Sequence, residues 1–375
     1  MVGSTSKMLN DSDEPVHIIM ERVSSKTMDA FVEFTSFQDA IQVVEKFQQR
    51  NANNGRIGRI GTRHVEVEVS SQTQLMKALF PIARGVIWGG TRPQIQRGSQ
   101  FPWENFKSFF TEEEISMLWK HVDCPQRSSY ARDCPERPYE CMISTLKKIP
   151  WYMAEYITIS QRYVVYDACY KMIGTLQNTI SRFPNHERMT VQLFNRLVRA
   201  AMLCPGFTVL QKDNIALLAK LPDDGRQFNQ PRFADLWRHL YTLGPKPDIP
   251  LDVLEVTTFS PCAVSSVLVY LTKIKTSSLQ YYIAIIREET TRTVDSLNIG
   301  QKIAFQNRAD STDRYFGYLW AEIDFPVGPT FDNMTLAEIN QRELQAIDRI
   351  LRRAIDGGLI PQAYTKSNIN DFSLI

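Results

Sequence analysis

The N-terminal part of the chain places hydrophobic residues at strand and helix spacings. Residues 16–20 form a short apolar run, and over residues 29–34 apolar side chains alternate with polar or small ones, as in a half-buried strand. Apolar residues at helical spacing follow, at Ala40, Val43, Val44 and Phe47. Valine then alternates strictly with glutamate over residues 65–69. The pattern predicts the order strand, strand, helix, strand.

Alternation also predicts which side of the second strand faces the interior. Successive side chains of a strand point to opposite faces, so Ala30, Val32 and Phe34 share one face. We expect that face to pack on the helix through Ala40 and Val44. The open face of the sheet would carry one aromatic ring among four carboxylates: Phe31 with Asp29, Glu33, Glu66 and Glu68. Because carboxylates repel phosphate, such a face is expected to bind single strands weakly.

The second strand resembles the RNP1 signature of the RNA recognition motif. That signature reads Lys or Arg, Gly, aromatic, Gly or Ala, aromatic, aliphatic, any residue, aromatic. Asp29 occupies the position of the first stacking aromatic, and Met28 replaces the glycine. Thr27 stands at the basic position, with Lys26 one place early. The remaining positions match their expected classes: Ala30, Phe31, Val32, Glu33 and Phe34.

The resemblance covers residues 15–80. This segment is similar to the divergent, quasi-RRM modules of some ribonucleoproteins and of fungal RRM proteins of poorly defined function. It implies an α+β fold with a partial RRM-like, ferredoxin-type sheet. The first strand and helix of the motif are expected upstream of Met1; the alternative is a partial fold that borrows a sheet edge from elsewhere. Single-stranded RNA is the implied partner. The candidate RNA-binding residues are Phe31, Lys26, Arg56, Arg59, Arg63 and His17.

The arginines of this set lie in a glycine-containing segment, residues 51–64, close to Arg50. Loop flexibility lets guanidinium groups meet phosphates or bases. The alternative is that these arginines only solvate a long turn.

Composition changes after residue 80, and with it the predicted organisation. Glycine, proline and arginine with three aromatics indicate an ordered linker, and a helical domain follows that we expect to recruit a protein partner. Helical spacing in that domain predicts core faces at Ile115, Leu118, Trp119 and Val122, and at Met142, Ile143 and Leu146. The predicted segments are a disordered tail at 1–14, the partial RRM-like domain at 15–80, the linker at 81–104, the helical domain at 105–243, an uncertain mixed region at 244–333, a helix at 334–356 and a tail at 357–375.

Capping boxes mark two of the predicted helix starts. Thr111 precedes Glu114 by three residues, and Thr335 precedes Glu338 in the same way. Between them, one group of soft ligands suggests a metal site: His121, Cys124, Cys134 and Cys141. Their spacing does not supply the close ligand pairs that are typical of zinc sites. We therefore expect no metal, and we interpret residues 125–138 as an ordered, basic loop that is a possible binding surface.

Charge and cysteine content narrow the class of protein. The 375 residues are 43% hydrophobic with a formal net charge of +2, so any affinity for nucleic acid has to come from local patches. Six dispersed cysteines and a polar start favour reduced thiols and an intracellular protein of the nucleus or cytoplasm. No apolar run reaches membrane-spanning length.

The sequence contains no phosphate-binding Gly-x-x-x-x-Gly-Lys, no Gly-x-Ser-x-Gly and no His-Glu-x-x-His motif. We therefore expect no enzyme, no catalytic residue and no cofactor. Two hypotheses remain. The first is an RNA-binding protein with a helical domain for partner recruitment, and the second is a protein-interaction scaffold whose RRM-like sheet does not bind RNA.

Overall fold

The computed structural model describes residues 8–9, 14–54, 58–60, 63–96, 104–221, 292–317 and 319–357. These residues form short antiparallel hairpins and helices. The strands are β1 (Val16–Met20), β2 (Thr27–Val32), β3 (Arg59–Ile60), β4 (Arg63–His64), β5 (Val86–Gly89) and β6 (Arg92–Ile95). The helices are α1 (Phe37–Asn54), α2 (Gln72–Leu79), α3 (Glu112–Asp123), α4 (Arg137–Lys148), α5 (Ile159–Arg182), α6 (Val191–Leu203), α7 (Val209–Leu218), α8 (Ile299–Ser311), α9 (Pro329–Asp332) and α10 (Leu336–Asp356).

These elements confirm the α+β class. Each strand pairs only with its neighbour in sequence, giving three two-stranded antiparallel sheets in the described ranges. A four-stranded ferredoxin-type sheet is not formed by these residues. In the first sheet Val16 lies opposite Val32 and His17 opposite Phe31, and an irregularity separates Ile18 from Met20.

The chain divides into two units. The first contains residues 1–149 and 168–200, and the second contains 150–167 and 201–375. Helix α5 contributes to both, since its residues up to Asp167 group with the second unit and those from Ala168 with the first. This division does not follow the sequence-based boundary at residue 105.

An aromatic cluster forms part of the core of the first unit. Phe80, just after α2, stacks on Trp88 of β5 with ring centroids 5.9 Å apart, and Trp88 lies 6.0 Å from Phe109. Hairpin β5–β6 therefore occupies the segment that we interpreted as an ordered linker. Helices α3 and α4 add the stripes that helical periodicity predicted, with fully buried side chains at Ile115, Leu118, Met142, Ile143 and Leu146.

In the second unit the start of α5 and the start of α10 are joined through their backbones. Leu336 donates to the carbonyl of Ile157 at 2.8 Å, and Ile159 donates to that of Met334 at 2.8 Å. The predicted capping box forms, because Thr335 and Glu338 each accept from the other's backbone amide. Arg162 is buried beneath these contacts and donates to the carbonyl of Tyr315 at 2.8 Å.

Two local predictions are wrong. The valine-glutamate alternation of residues 65–69 is not a strand, since β4 ends at His64. The faces of β2 are exchanged, because Ala30 and Val32 are exposed while Glu33 is buried. The end of the predicted helical domain and the first part of the uncertain mixed region, residues 222–291, lie outside the described residues.

Candidate nucleic-acid interface

Hairpin β1–β2 is fixed to the protein by a polar network on its inner face. His17, which is 0% exposed, lies between two partners. Its Nε2 is 2.8 Å from Glu33 Oε2, and its Nδ1 is 3.0 Å from Ser144 Oγ on α4. Because a carboxylate only accepts hydrogen bonds, Nε2 is the donor to Glu33. Strand β1 packs directly against α4 around this network.

Glu33 is the charged centre of that network. Lys148 Nζ lies 2.9 Å from both of its oxygens, and the side-chain amide of Gln72 donates to Oε1. Burial alone would raise the pKa of Glu33, but the hydrogen bond from His17, the charge and hydrogen bond of Lys148 and the hydrogen bond from Gln72 outweigh burial and lower the pKa to about 2. The carboxylate is therefore ionised and occupied by protein partners.

The turn between β1 and β2 is anchored in the same way. The side chain of Arg22 enters the core, where it donates to the carbonyl of Leu79 at 2.8 Å and approaches Glu114 at 3.6 Å. Its own carbonyl accepts from His121 Nε2 at 2.9 Å. Ser25 is buried at the end of the turn with a φ of 63°, in the left-handed region. The turn is thus held rigidly on α3, and Lys26 follows it at the surface.

Hairpin β3–β4 differs because all four of its residues are exposed. Arg59 lies opposite His64 and donates to its Nε2 at 3.2 Å, and Ile60 lies opposite Arg63. Within the described ranges neither arginine has a carboxylate at ion-pair distance. Gly58, just before β3, packs on the ring of Phe47, where a Cβ atom would come within 2.1 Å of the ring. The hairpin is a small cationic ribbon that is seated on α1.

The candidate RNA-binding residues therefore separate into groups. Arg59 and Arg63 are brought together on the ribbon, and Lys26 is exposed beside the β1–β2 turn. Phe31 is only half-buried but belongs to the inner face, opposite the buried His17. This corrects the prediction that Phe31 stands on the open side. The structure also corrects the assignment of His17, since a fully buried imidazole does not offer a contact to RNA. Arg56 lies outside the described residues.

The inner network contains a serine, an imidazole and a carboxylate in hydrogen-bonded series, an arrangement that is also found in hydrolases. Ser144 is 1% exposed and His17 is fully buried, so the hydroxyl presents no surface to a substrate. The network instead attaches the hairpin to α4. Sequence reasoning missed it because Lys148 is 115 positions from Glu33 and Ser144 is 127 positions from His17. No local pattern signals pairs at such separation.

The structure also shows the surroundings of His121, one of the four soft ligands for which no metal is expected. His121 uses both ring nitrogens within the protein, one toward Arg22 and the other 2.8 Å from Ser128 Oγ. In the described part of the chain no group of three or more His, Cys, Asp or Glu side chains is placed to hold a metal ion. Likewise, none of the described helices combines the length and apolarity needed to cross a membrane.

Comparison with known families gives two matches to separate parts of the chain. Residues 106–221 match a family described as Domain of unknown function (DUF8399), and residues 1–90 match one described as Domain of unknown function (DUF8400). No curated protein and no solved structure matches the chain. The two family descriptions state no activity.

Proposed function

We propose that this protein binds single-stranded RNA, with the β3–β4 ribbon as its cationic contact. The observation that carries the proposal is the exposed pair of arginines on one two-stranded ribbon, Arg59 and Arg63, accompanied by His64. A guanidinium group offers five donors in a planar fork that matches phosphate oxygens. Ile60 adds an exposed apolar surface on the same ribbon, 59% exposed, against which a base packs.

The burial of one carboxylate of the N-terminal region agrees with this choice of surface. The carboxylate of Glu33, which would repel a phosphate backbone from an open sheet face, is buried and paired with Lys148. The ribbon lies apart from that network in sequence and is exposed throughout. Binding of this kind is mainly electrostatic, so its strength falls steeply as the salt concentration rises.

The test is the salt dependence of binding to a short, fluorescently labelled oligouridylate, followed by anisotropy. Replacing Arg59 and Arg63 by alanine together should lower the slope of log affinity against log salt by about 1.4, because each phosphate contact on a single strand contributes about 0.7. The matched control replaces two exposed helical arginines, Arg182 and Arg199, and should leave the slope unchanged. An unchanged slope in the Arg59/Arg63 variant, or no binding by the wild-type chain, would overturn the proposal.

A second function, recruitment of a protein partner through residues 105–243, is favoured by one observation. Phe183 and Val191, which flank the connection from α5 to α6, are both strongly exposed. Two large apolar side chains exposed at the same helix connection suggest an apolar interaction surface. Replacing both by serine should abolish capture of an RNase-resistant partner from lysate. Recovery of only RNase-sensitive partners would contradict this function.

A further inference from the structure

The β1–β2 turn and the loop after α3 are joined by a chain of buried hydrogen bonds. Ser25 Oγ is 2.7 Å from Ser128 Oγ, which in turn is 2.8 Å from His121 Nδ1. His121 Nε2 completes the chain at the carbonyl of Arg22. Residues separated by about a hundred positions are thereby held side by side, and the residues next to these anchors share one region of the surface.

The loop alternates buried anchors with exposed side chains. Ser128 and Ala131 are buried, whereas Arg127, Tyr130 and Arg132 are exposed, Tyr130 to 47%. Backbone bonds fix the loop, since Arg132 N donates to the carbonyl of Ser128 at 3.0 Å and Ser128 N donates to that of Pro125 at 3.0 Å. The ring of Tyr130 is thus exposed on a loop that backbone hydrogen bonds hold in place, and in sequence it lies between two exposed arginines.

The basic residues that adjoin the serine anchors in sequence are exposed. Lys26 follows the anchor Ser25, and Arg127 precedes the anchor Ser128. In the described part of the chain neither side chain has a carboxylate at ion-pair distance. Arg132 lies 3.4 Å from Asp133, but both side chains are well exposed, so the pair is screened by water and worth little.

We infer that this surface, the Tyr130 ledge, formed by Lys26, Arg127, Tyr130 and Arg132, is a second contact for single-stranded RNA. One base stacks on the ring of Tyr130, and the cations lie near the phosphates on either side. Stacking on an aromatic ring tolerates every base, since each has a π face. Because the loop and turn are already ordered, little conformational entropy is lost on binding. The inference rests on the proposed function and adds a site on the same unit.

The test compares two labelled probes, an oligouridylate and an abasic ribose-phosphate oligomer with the same number of phosphates. Tyr130→Ala should weaken binding of the oligouridylate by about five- to 150-fold and leave the abasic probe unchanged, the range that follows from loss of one stacked base. Tyr130→Phe keeps the ring and should bind like the wild type. Tyr130 is exposed, so neither change is expected to unfold the protein, which circular dichroism checks.

The outcomes separate the ledge from the ribbon. If Tyr130→Ala binds normally while the Arg59/Arg63 variant is weakened, the ledge is overturned and the proposed function stands. If only Tyr130→Ala is weakened, the ledge stands and the ribbon is overturned as the contact. Equal loss on both probes overturns stacking, and the absence of binding by the wild-type chain overturns both proposals.

Discussion

The two faces of hairpin β1–β2 reverse the usual arrangement of a sheet on a core. The inner face carries an imidazole and a carboxylate, His17 and Glu33, and both are buried against α4. The outer face carries Val16 and Val32, a cross-strand pair that is exposed to 40% and 36%. Polarity alone therefore does not determine which face of this hairpin is buried.

The difference shows that burial depends on the partners that a face meets. An ionised carboxylate without partners is very costly to bury. Glu33 has Lys148 Nζ at 2.9 Å and His17 Nε2 at 2.8 Å, so its lost hydration is replaced by charge-assisted hydrogen bonds. On the outer face Val32 remains exposed, and none of the α1 residues 37–52 is buried.

The largest expected effect comes from removing the cation, Lys148, that pairs with Glu33 on the inner face. Lys148→Met should lower the free energy of unfolding by about 3–5 kcal/mol, because it leaves a buried carboxylate without its charged partner. Urea unfolding of the full chain measures the change. Lys77→Met, at an exposed position in the last turn of α2, is the matched control and should change stability by less than about 0.5 kcal/mol.

The double variant Glu33→Gln with Lys148→Met separates the ion pair from simple packing. Removing both charges leaves no unpaired ion, so much of the lost stability should return. If Lys148→Met alone were as stable as the control, the inner face would not depend on the pair.

The second test uses pH. The pKa of Glu33 is lowered from 4.5 to about 2 in the folded protein, so its contribution is complete above pH 4.5 and is lost as the pH falls through about 2. A shift of that size corresponds to about 3 kcal/mol. The stability advantage of the wild type over Glu33→Gln should shrink by that amount between pH 4.5 and 2, as measured by urea unfolding at each pH.

The pH test needs a control variant whose carboxylate is exposed. Glu68→Gln, at an exposed position, should show no comparable pH-dependent difference from the wild type. If the difference in unfolding free energy between the wild type and Glu33→Gln stays constant from pH 4.5 to pH 2, the partners of Glu33 do not lower its pKa.

Local features of the fold could be predicted because their causes lie within a few residues. The capping box of Thr111 and Glu114 forms, with both reciprocal bonds present, and α3 starts at Glu112. Helical periodicity correctly placed Leu118 and Leu146 in the core. Both signals require only side chains one turn apart along a helix, so a single sequence contains all the information.

The faces of β2 and the candidate site could be predicted only in part. Alternation showed that residues 30 and 32 share a side with each other and not with Glu33, but it does not state which side meets the protein. That choice depends on Lys148 and Ser144, whose positions are set by the fold of α4. The proposed ledge has the same origin, because its two segments are joined by the contact of Ser25 with Ser128, which lie 103 positions apart in the sequence.

The smallest expected effect tests the outer face directly. Val32→Thr exchanges a methyl for a hydroxyl with almost the same shape, and in a core it would bury an unsatisfied polar group at a cost of about 1–3 kcal/mol. Val32 is 36% exposed, so its hydroxyl would reach water and the unfolding free energy should change by less than about 0.5 kcal/mol. Ile19→Thr, on the inner face at 7% exposure, is the comparison and should cost at least 1 kcal/mol more. Equal losses at the two positions, measured by urea unfolding, would show that a partner or another part of the chain covers the outer face in solution.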